Sequence, residues 1–193
     1  MQPDKKTLRQ QLRRQRSALS PNQQARLSQQ AMQHLLRQPR VRSARLIAFY
    51  WPVRGEINPL LLRKLGNSKQ RFYLPIIQKP ATPLKFVRWD KHTHFKPNSF
   101  RIPEPWPRYR HALAATAFDL VIMPLVAFDQ TGTRLGMGGG FYDRTFAFKQ
   151  QRSYRRPLLV GFAYQFQQVS QLERANWDIA LDAVVTEDGW QWF

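Results

Sequence analysis

The run AFDLVIMPLVAFD, residues 117–129, is apolar at almost every position, and this restricts the fold more than any other feature of the chain. A strand with one wet face alternates apolar and polar residues, whereas a nearly unbroken apolar run needs cover on both faces. PLLVGFAY (157–164) has the same character, and LDAVVTED (181–188), RLIAFYW (45–51), RFYLPII (71–77) and PLKFVRW (83–89) supply further strands. Helix signals lie between them. Asn58-Pro59 reads as a cap and first turn opening PLLLRKLG, with Gly66 at its end, and FYDRTFAF (141–148) follows a glycine cluster. Strands alternating with helices imply an α/β fold: a central, mostly parallel sheet covered by helices on both faces.

Ahead of this pattern lies a helical arm, residues 1–40. Leu8, Leu12 and Leu19 recur at helical offsets, which predicts a helix over 3–18, and Ser20-Pro21 caps and opens a second over 21–37. At 193 residues the chain fits a single domain. Residues 91–108, with four prolines and little periodicity, are expected to form a surface loop.

The chain has no cysteine, which excludes disulfides, thiolate metal sites and a cysteine nucleophile. No apolar run approaches the ~18 residues needed to cross a bilayer, and the N-terminus lacks the apolar segment of a signal peptide, so a cytoplasmic protein without membrane contact is expected. Lys and Arg number 31 against 12 Asp and Glu, a net charge of +19. Such an excess attracts polyanions, whether nucleic acid, nucleotides or acidic metabolites, and equally describes solvated helix faces. It is densest at the N-terminal end, where residues 1–45 carry eleven basic side chains and one acid, Asp4.

The segment TGTRLGMGGGFYDR places Gly136, Gly138, Gly139 and Gly140 between an apolar strand pair and a predicted helix. Glycines cluster where backbone must adopt positive φ or approach a ligand closely, and amides converging at a helix start suit phosphate. Neither GxxxxGK[ST] nor GxGxxG is present. Arg134 and Arg144 flank the loop and could pair with phosphate oxygens. Asp143 fits beside phosphates only with a cation between them, a role open to magnesium, which binds through one or two carboxylates plus phosphate oxygens. The bland alternative is a wide hairpin loop. GxSxG and HExxH are absent, and His34, His92, His94 and His111 show no convincing ligand spacing.

The run MPLVAFDQTGTRLGMGGGFYDR resembles the signature of the 5-formyltetrahydrofolate cyclo-ligase family, also called methenyltetrahydrofolate synthetases. KKTLR, FYWPVRGEIN, IPEP, GFAYQFQ and NWDIALDAVVTED agree with it in order and spacing. The resemblance implies a fold related to the NagB/RpiA/CoA-transferase group, and an ATP- and Mg2+-dependent conversion of 5-formyltetrahydrofolate to 5,10-methenyltetrahydrofolate with release of ADP and phosphate. By the same resemblance, Lys5 and Arg9 reach the ATP phosphates, and Arg134, Leu135, Gly136, Met137, Gly138, Gly139, Gly140, Phe141 and Tyr142 form the nucleotide loop. Arg134 and Tyr142 act in catalysis. Met137 to Phe141 also face the folate, Trp51 and Glu56 contact its pterin and formyl end, and Asp143 and Asp178 hold magnesium. Many members carry a lysine where this chain has Gly139, a tyrosine or arginine where it has Met137, and a tyrosine where it has Phe141.

In the implied chemistry, phosphorylation of the formyl oxygen lets N10 of the same folate attack, so catalysis is mostly positioning and charge neutralisation. A monomer acting on small molecules is the expected state. Two other functions fit the residues: a nucleic-acid-binding protein, suggested by the charge and by RYRHALAATAF and RSYRR, or a paralogue acting on another metabolite.

Overall fold

The computed structural model describes residues 4–79, 81–106, 111–151 and 156–193. Its helices are α1 (Lys5–Ala18), α2 (Pro21–Arg37), α3 (Pro39–Ser43), α4 (Leu61–Leu65) and α5 (Phe141–Phe146). A seven-stranded sheet is formed by β1 (Leu46–Ala48), β2 (Arg71–Ile76), β3 (Lys85–Arg88), β6 (Leu120–Met123), β9 (Leu158–Phe162), β10 (Ala183–Thr186) and β11 (Gly189–Trp192). Two ribbons stand apart from it: β4 (His94–Pro97) with β5 (Pro103–Trp106), and β7 (Ala127–Phe128) with β8 (Arg134–Leu135).

The strand order is β11-β10-β9-β6-β1-β2-β3, with the four central pairings parallel and the outer hairpins β2–β3 and β10–β11 antiparallel. Burial follows the two-residue strand period. Ile47, Phe72, Leu74, Leu120, Ile122, Val160 and Val185 face α2 and α4 on one side. Ala48, Tyr73, Val121, Met123, Leu159 and Val184 face Phe118 and Phe146 on the other. All four residues of β6 and all five of β9 are buried, as their unbroken apolar sequences require. Beyond Leu159, the next position of β9 on that second side is Gly161, where a Cβ would lie 2.7 Å from Leu125 Cδ2 and 2.8 Å from Leu181 Cδ1.

The helix starts obey local chemistry. Ser20 and Gln23 form a reciprocal capping box at α2, with Pro21 in the first turn. At α1 the Asp4 side chain accepts from the Lys6 and Thr7 amides. Residues 91–108 depart from the surface-loop expectation: β4 and β5 pair within them, and Glu104 is buried and accepts from the Ile77 amide at 2.9 Å. Three prolines occur in these two strands, which is tolerated because the ribbon lies outside the main sheet and needs few ladder donors. Most of RSYRR, and the start of RYRHALAATAF, lie outside the described residues. Among the described residues no helix is long and apolar enough to cross a membrane.

Candidate active site

The order of the sheet locates the site. From β1 the chain moves outward to β2 on one side, and later returns to place β6, β9 and β10 on the other, so the order reverses between β1 and β6. In sheets of this kind the crevice lies beyond the carboxyl ends of the strands flanking the reversal. The residues after β1 (Tyr50, Trp51, Val53, Glu56) and after β6 (Pro124, Leu125, then residues 134–144) line a cavity of about 1030 Å³. That volume is at the upper end for one small-molecule site and leaves room for two ligands side by side.

The glycine segment forms the mouth of this cavity. Gly138 (φ +93°) and Gly140 (φ +62°) are left-handed, and Gly140 caps α5. Met137, Gly138 and Gly139 are exposed. The preceding hairpin is fixed by buried Asp129, whose carboxylate accepts from the amides of Thr131, Thr133 and Leu172.

The arm closes over the loop. Leu8 and Leu12 pack against Val126, Leu135 and Leu172. One turn from Leu12, Arg9 Nε donates to the Gly136 carbonyl at 2.8 Å across 127 residues of sequence. Lys5, one turn earlier on the same helix, also lines the cavity. On the opposite flank, Arg144 Nη2 donates to the Gly139 carbonyl at 2.6 Å and its guanidinium lies 5.3 Å from the centre of the Phe141 ring. Three cations from two distant segments therefore border an exposed, amide-rich loop.

Arg134 is turned inward. Its Nη2 pairs with Asp143 Oδ1 at 2.7 Å and its Nη1 donates to the Ile179 carbonyl. Both terminal nitrogens are engaged within the chain, which secures the loop at its base. Asp143 Oδ1 also accepts from the Ile179 amide at 3.2 Å. Asp178 Oδ2 accepts from the Ala175 amide at 2.8 Å. Among the described residues no cluster of three acids or histidines could hold a metal by itself. Asp143 and Asp178 both line the cavity, and two carboxylates with part of their acceptor capacity already committed suit a magnesium ion that takes its remaining ligands from phosphate and water.

The deep end is aromatic and acidic. Trp51 packs on Trp89 and Phe95 with ring centres 5.8 and 5.2 Å apart, so it joins the aromatic cluster and borders the cavity at once. The Glu56 side chain is 9% exposed; its Oε2 accepts from the Val53 amide at 3.1 Å, and Oε1 lies 3.6 Å from Arg16 Nη1. Burial pushes its carboxyl above the usual range, against the opposing pull of Arg16. Burial, aided by the Glu56 charge, also raises the Tyr142 phenol far above neutrality.

A profile of the 5-formyltetrahydrofolate cyclo-ligase family matches residues 1–187. The 5-formyltetrahydrofolate cyclo-ligase of Escherichia coli (strain K12) is 38% identical over 184 residues, covering 94% of this chain and all of that one. This chain belongs to the 5-formyltetrahydrofolate cyclo-ligase family. The cyclo-ligase of Haemophilus influenzae is 40% identical over 177 residues, 90% of this chain and 92% of its own. The solved 5,10-methenyltetrahydrofolate synthetase of Aquifex aeolicus superposes with a TM-score of 0.81 at 30% identity, covering 97% of this chain and 92% of that one.

Within this cyclo-ligase the fold brings every residue singled out from sequence to one cavity: Lys5, Arg9, Trp51, Glu56, the 134–142 loop, Asp143 and Asp178 all line it. Sequence reasoning passed over Arg16, Tyr50 and Trp177, which line it too. For Arg16 a signal existed. Positions 5, 9, 12 and 16 fall on one helical stripe with Leu8, so a basic residue there faces inward with the leucines.

Proposed function

We propose that this chain converts 5-formyltetrahydrofolate to 5,10-methenyltetrahydrofolate, with ATP as phosphoryl donor and a magnesium ion bound at Asp143 and Asp178. The observation that carries this reading is the single cavity with two chemically different ends. Its mouth is a left-handed glycine loop bordered by Lys5, Arg9 and Arg144, suited to a triphosphate. Its deep end joins the Trp51 ring to the buried Glu56 carboxylate, suited to a flat heterocycle with hydrogen-bond donors.

In this reading the formyl oxygen attacks the γ-phosphorus, the bond to the β-phosphate oxygen breaks and ADP leaves. N10 of the same folate then attacks the formyl carbon. The carbon–oxygen bond breaks as phosphate departs with the N10 proton, and the product spreads its positive charge over N5, carbon and N10. No protein nucleophile is needed. The loop amides and flanking cations hold the phosphates, Arg134 fixes the loop base, and Tyr142, kept as the phenol, offers a donor beside the loop. A magnesium ion would neutralise charge on the transferring phosphoryl group. We propose a cytoplasmic, monomeric enzyme, in keeping with a site built from one chain. The test is to mix the purified protein with 5-formyltetrahydrofolate, ATP and magnesium and follow the methenyl product by absorbance together with ADP. Equal amounts of both are expected, and conversion that does not depend on ATP would refute the reading.

A further inference from the structure

Among the described residues Arg16 is the largest fully buried side chain, at 1% exposure, and it lines the cavity beside Glu56. A guanidinium withdrawn from water normally recovers its lost hydration through several hydrogen bonds. Here, among the described residues, neither Nε nor Nη1 has a hydrogen-bond partner, and the carboxylate at 3.6 Å is beyond hydrogen-bonding distance. A leucine would fill the position without that penalty. What the arginine adds is a fixed positive charge against Glu56, at the inner end of the stripe that carries Lys5 and Arg9 to the mouth.

We propose that Arg16 is a positioning residue that keeps the Glu56 side chain ionised and oriented into the cavity, where it accepts hydrogen bonds from the donor edge of the folate's pterin ring. The inference rests on the functional reading above and assigns a role within its deep end. A protonated Glu56 would set a hydrogen against the ring N3–H and 2-amino groups; a carboxylate accepts from both. The charge state of this one group therefore decides whether the heterocycle is held.

The groups facing Glu56 are few. Arg16 comes from α1, Arg54 and the Val53 amide from its own turn, and the phenols of Tyr50, Tyr142 and Tyr164 from the segment after β1, from α5 and from the segment after β9. All three phenols are raised, Tyr164 to about 12, so they stay neutral across the working range and Glu56 is the acidic member of the group whose charge is in play. Burial already raises its carboxyl, and Arg16 is the main opposing charge.

The test measures binding of 5-formyltetrahydrofolate without ATP, by quenching of tryptophan fluorescence, across pH 5–9 for wild type, Arg16→Lys, Arg16→Met and Glu56→Gln. Folate binding by wild type should weaken as pH falls through the Glu56 pKa. In Arg16→Met this acid limb should move to higher pH by about 1–3 units, the range for removing an opposite charge at this distance. Arg16→Lys should keep the limb near its wild-type place, and the ATP KM should change less than twofold in all. Glu56→Gln should bind weakly at every pH without the limb. If Arg16→Met fails to fold, Arg16→Gln serves in its place. A uniform loss of affinity with the limb unmoved would show a purely structural arginine and overturn the inference. Wild type that does not bind 5-formyltetrahydrofolate would overturn both the functional reading and this one, whereas binding with an immobile limb removes this one alone.

Discussion

Arg134 and Asp143 close a triangle with Ile179: the ion pair spans 2.7 Å, the guanidinium also donates to the Ile179 carbonyl, and the carboxylate oxygen also accepts the Ile179 amide. The strand entering the glycine loop, the helix leaving it and the segment before β10 are thereby tied at one point. Asp143→Ala would leave the Arg134 side chain, 4% exposed, without its counter-charge. The expected cost is about 2–4 kcal/mol, below that of a fully buried pair because part of Asp143 reaches solvent. Asp143→Asn keeps an oxygen acceptor for both donors and should fold normally, with a loss of about 1 kcal/mol. Urea unfolding of the two variants, with turnover lost in both, separates the anchoring role from the chemical one.

The loop glycines should differ among themselves. At Gly136 a Cβ would meet nothing within 4 Å, so Gly136→Ala should leave stability within about 0.5 kcal/mol of wild type. If phosphates approach this backbone, its ATP KM should nonetheless rise. Gly138→Ala forces a side chain to φ +93° and should lose about 1–2 kcal/mol as well. Equal stability losses at the two positions would contradict the geometry.

Arg9 fastens the arm to the loop through the Gly136 carbonyl. Arg9→Met retains the aliphatic stem and removes a charge-assisted hydrogen bond in a partly buried setting, a loss of about 1.5–3 kcal/mol. This should fall mainly on ATP binding, as a rise of roughly ten- to a hundredfold in ATP KM with the folate KM little changed. An unchanged ATP KM would detach the arm from the nucleotide.

The arm should also respond to acid. Asp4 caps α1 through the Thr7 hydroxyl and the Thr7 and Lys6 amides, which hold its carboxyl below the usual value of 3.8. A carboxyl lowered by folding contributes stability above its unfolded pKa and loses it as pH falls through the folded value. Protection of the Lys6 and Thr7 amides against exchange, relative to the unstructured rate at the same pH, should therefore fall below about pH 4, before that of the sheet amides. Asp4→Asn, which still caps but does not ionise, should flatten that dependence.

The sheet was legible because a strand buried on both faces cannot disguise its composition: 120–123 and 158–162 announce themselves, and Ser20 and Pro21 mark the start of α2. β11 escaped notice because GWQW sits at the sheet edge, although the Asp188-Gly189 pair before it is a hairpin signal. The ribbon within 91–108 escaped because prolines argue against strands unless the edge is known to be free. In the site, the glycines declared a special backbone, whereas Arg134 and Arg16 could not be sorted by composition. Whether an arginine meets a ligand, a carboxylate or solvent depends on which segments converge, and Ile179, Asp143 and Glu56 arrive from distant parts of the chain.

Lys5, Arg9 and Arg16 ride on one uninterrupted helix. Eleven residues at the α-helical rise give roughly 16 Å between the first and the last along the axis, a length set by backbone geometry rather than by flexible side chains. The rod acts as a ruler between the place where a triphosphate would end and the place where a heterocycle would begin. One residue inserted between Arg9 and Arg16 would rotate the two out of alignment by about 100° while leaving every side chain present, so the calibration of the pair lies in the spacing itself.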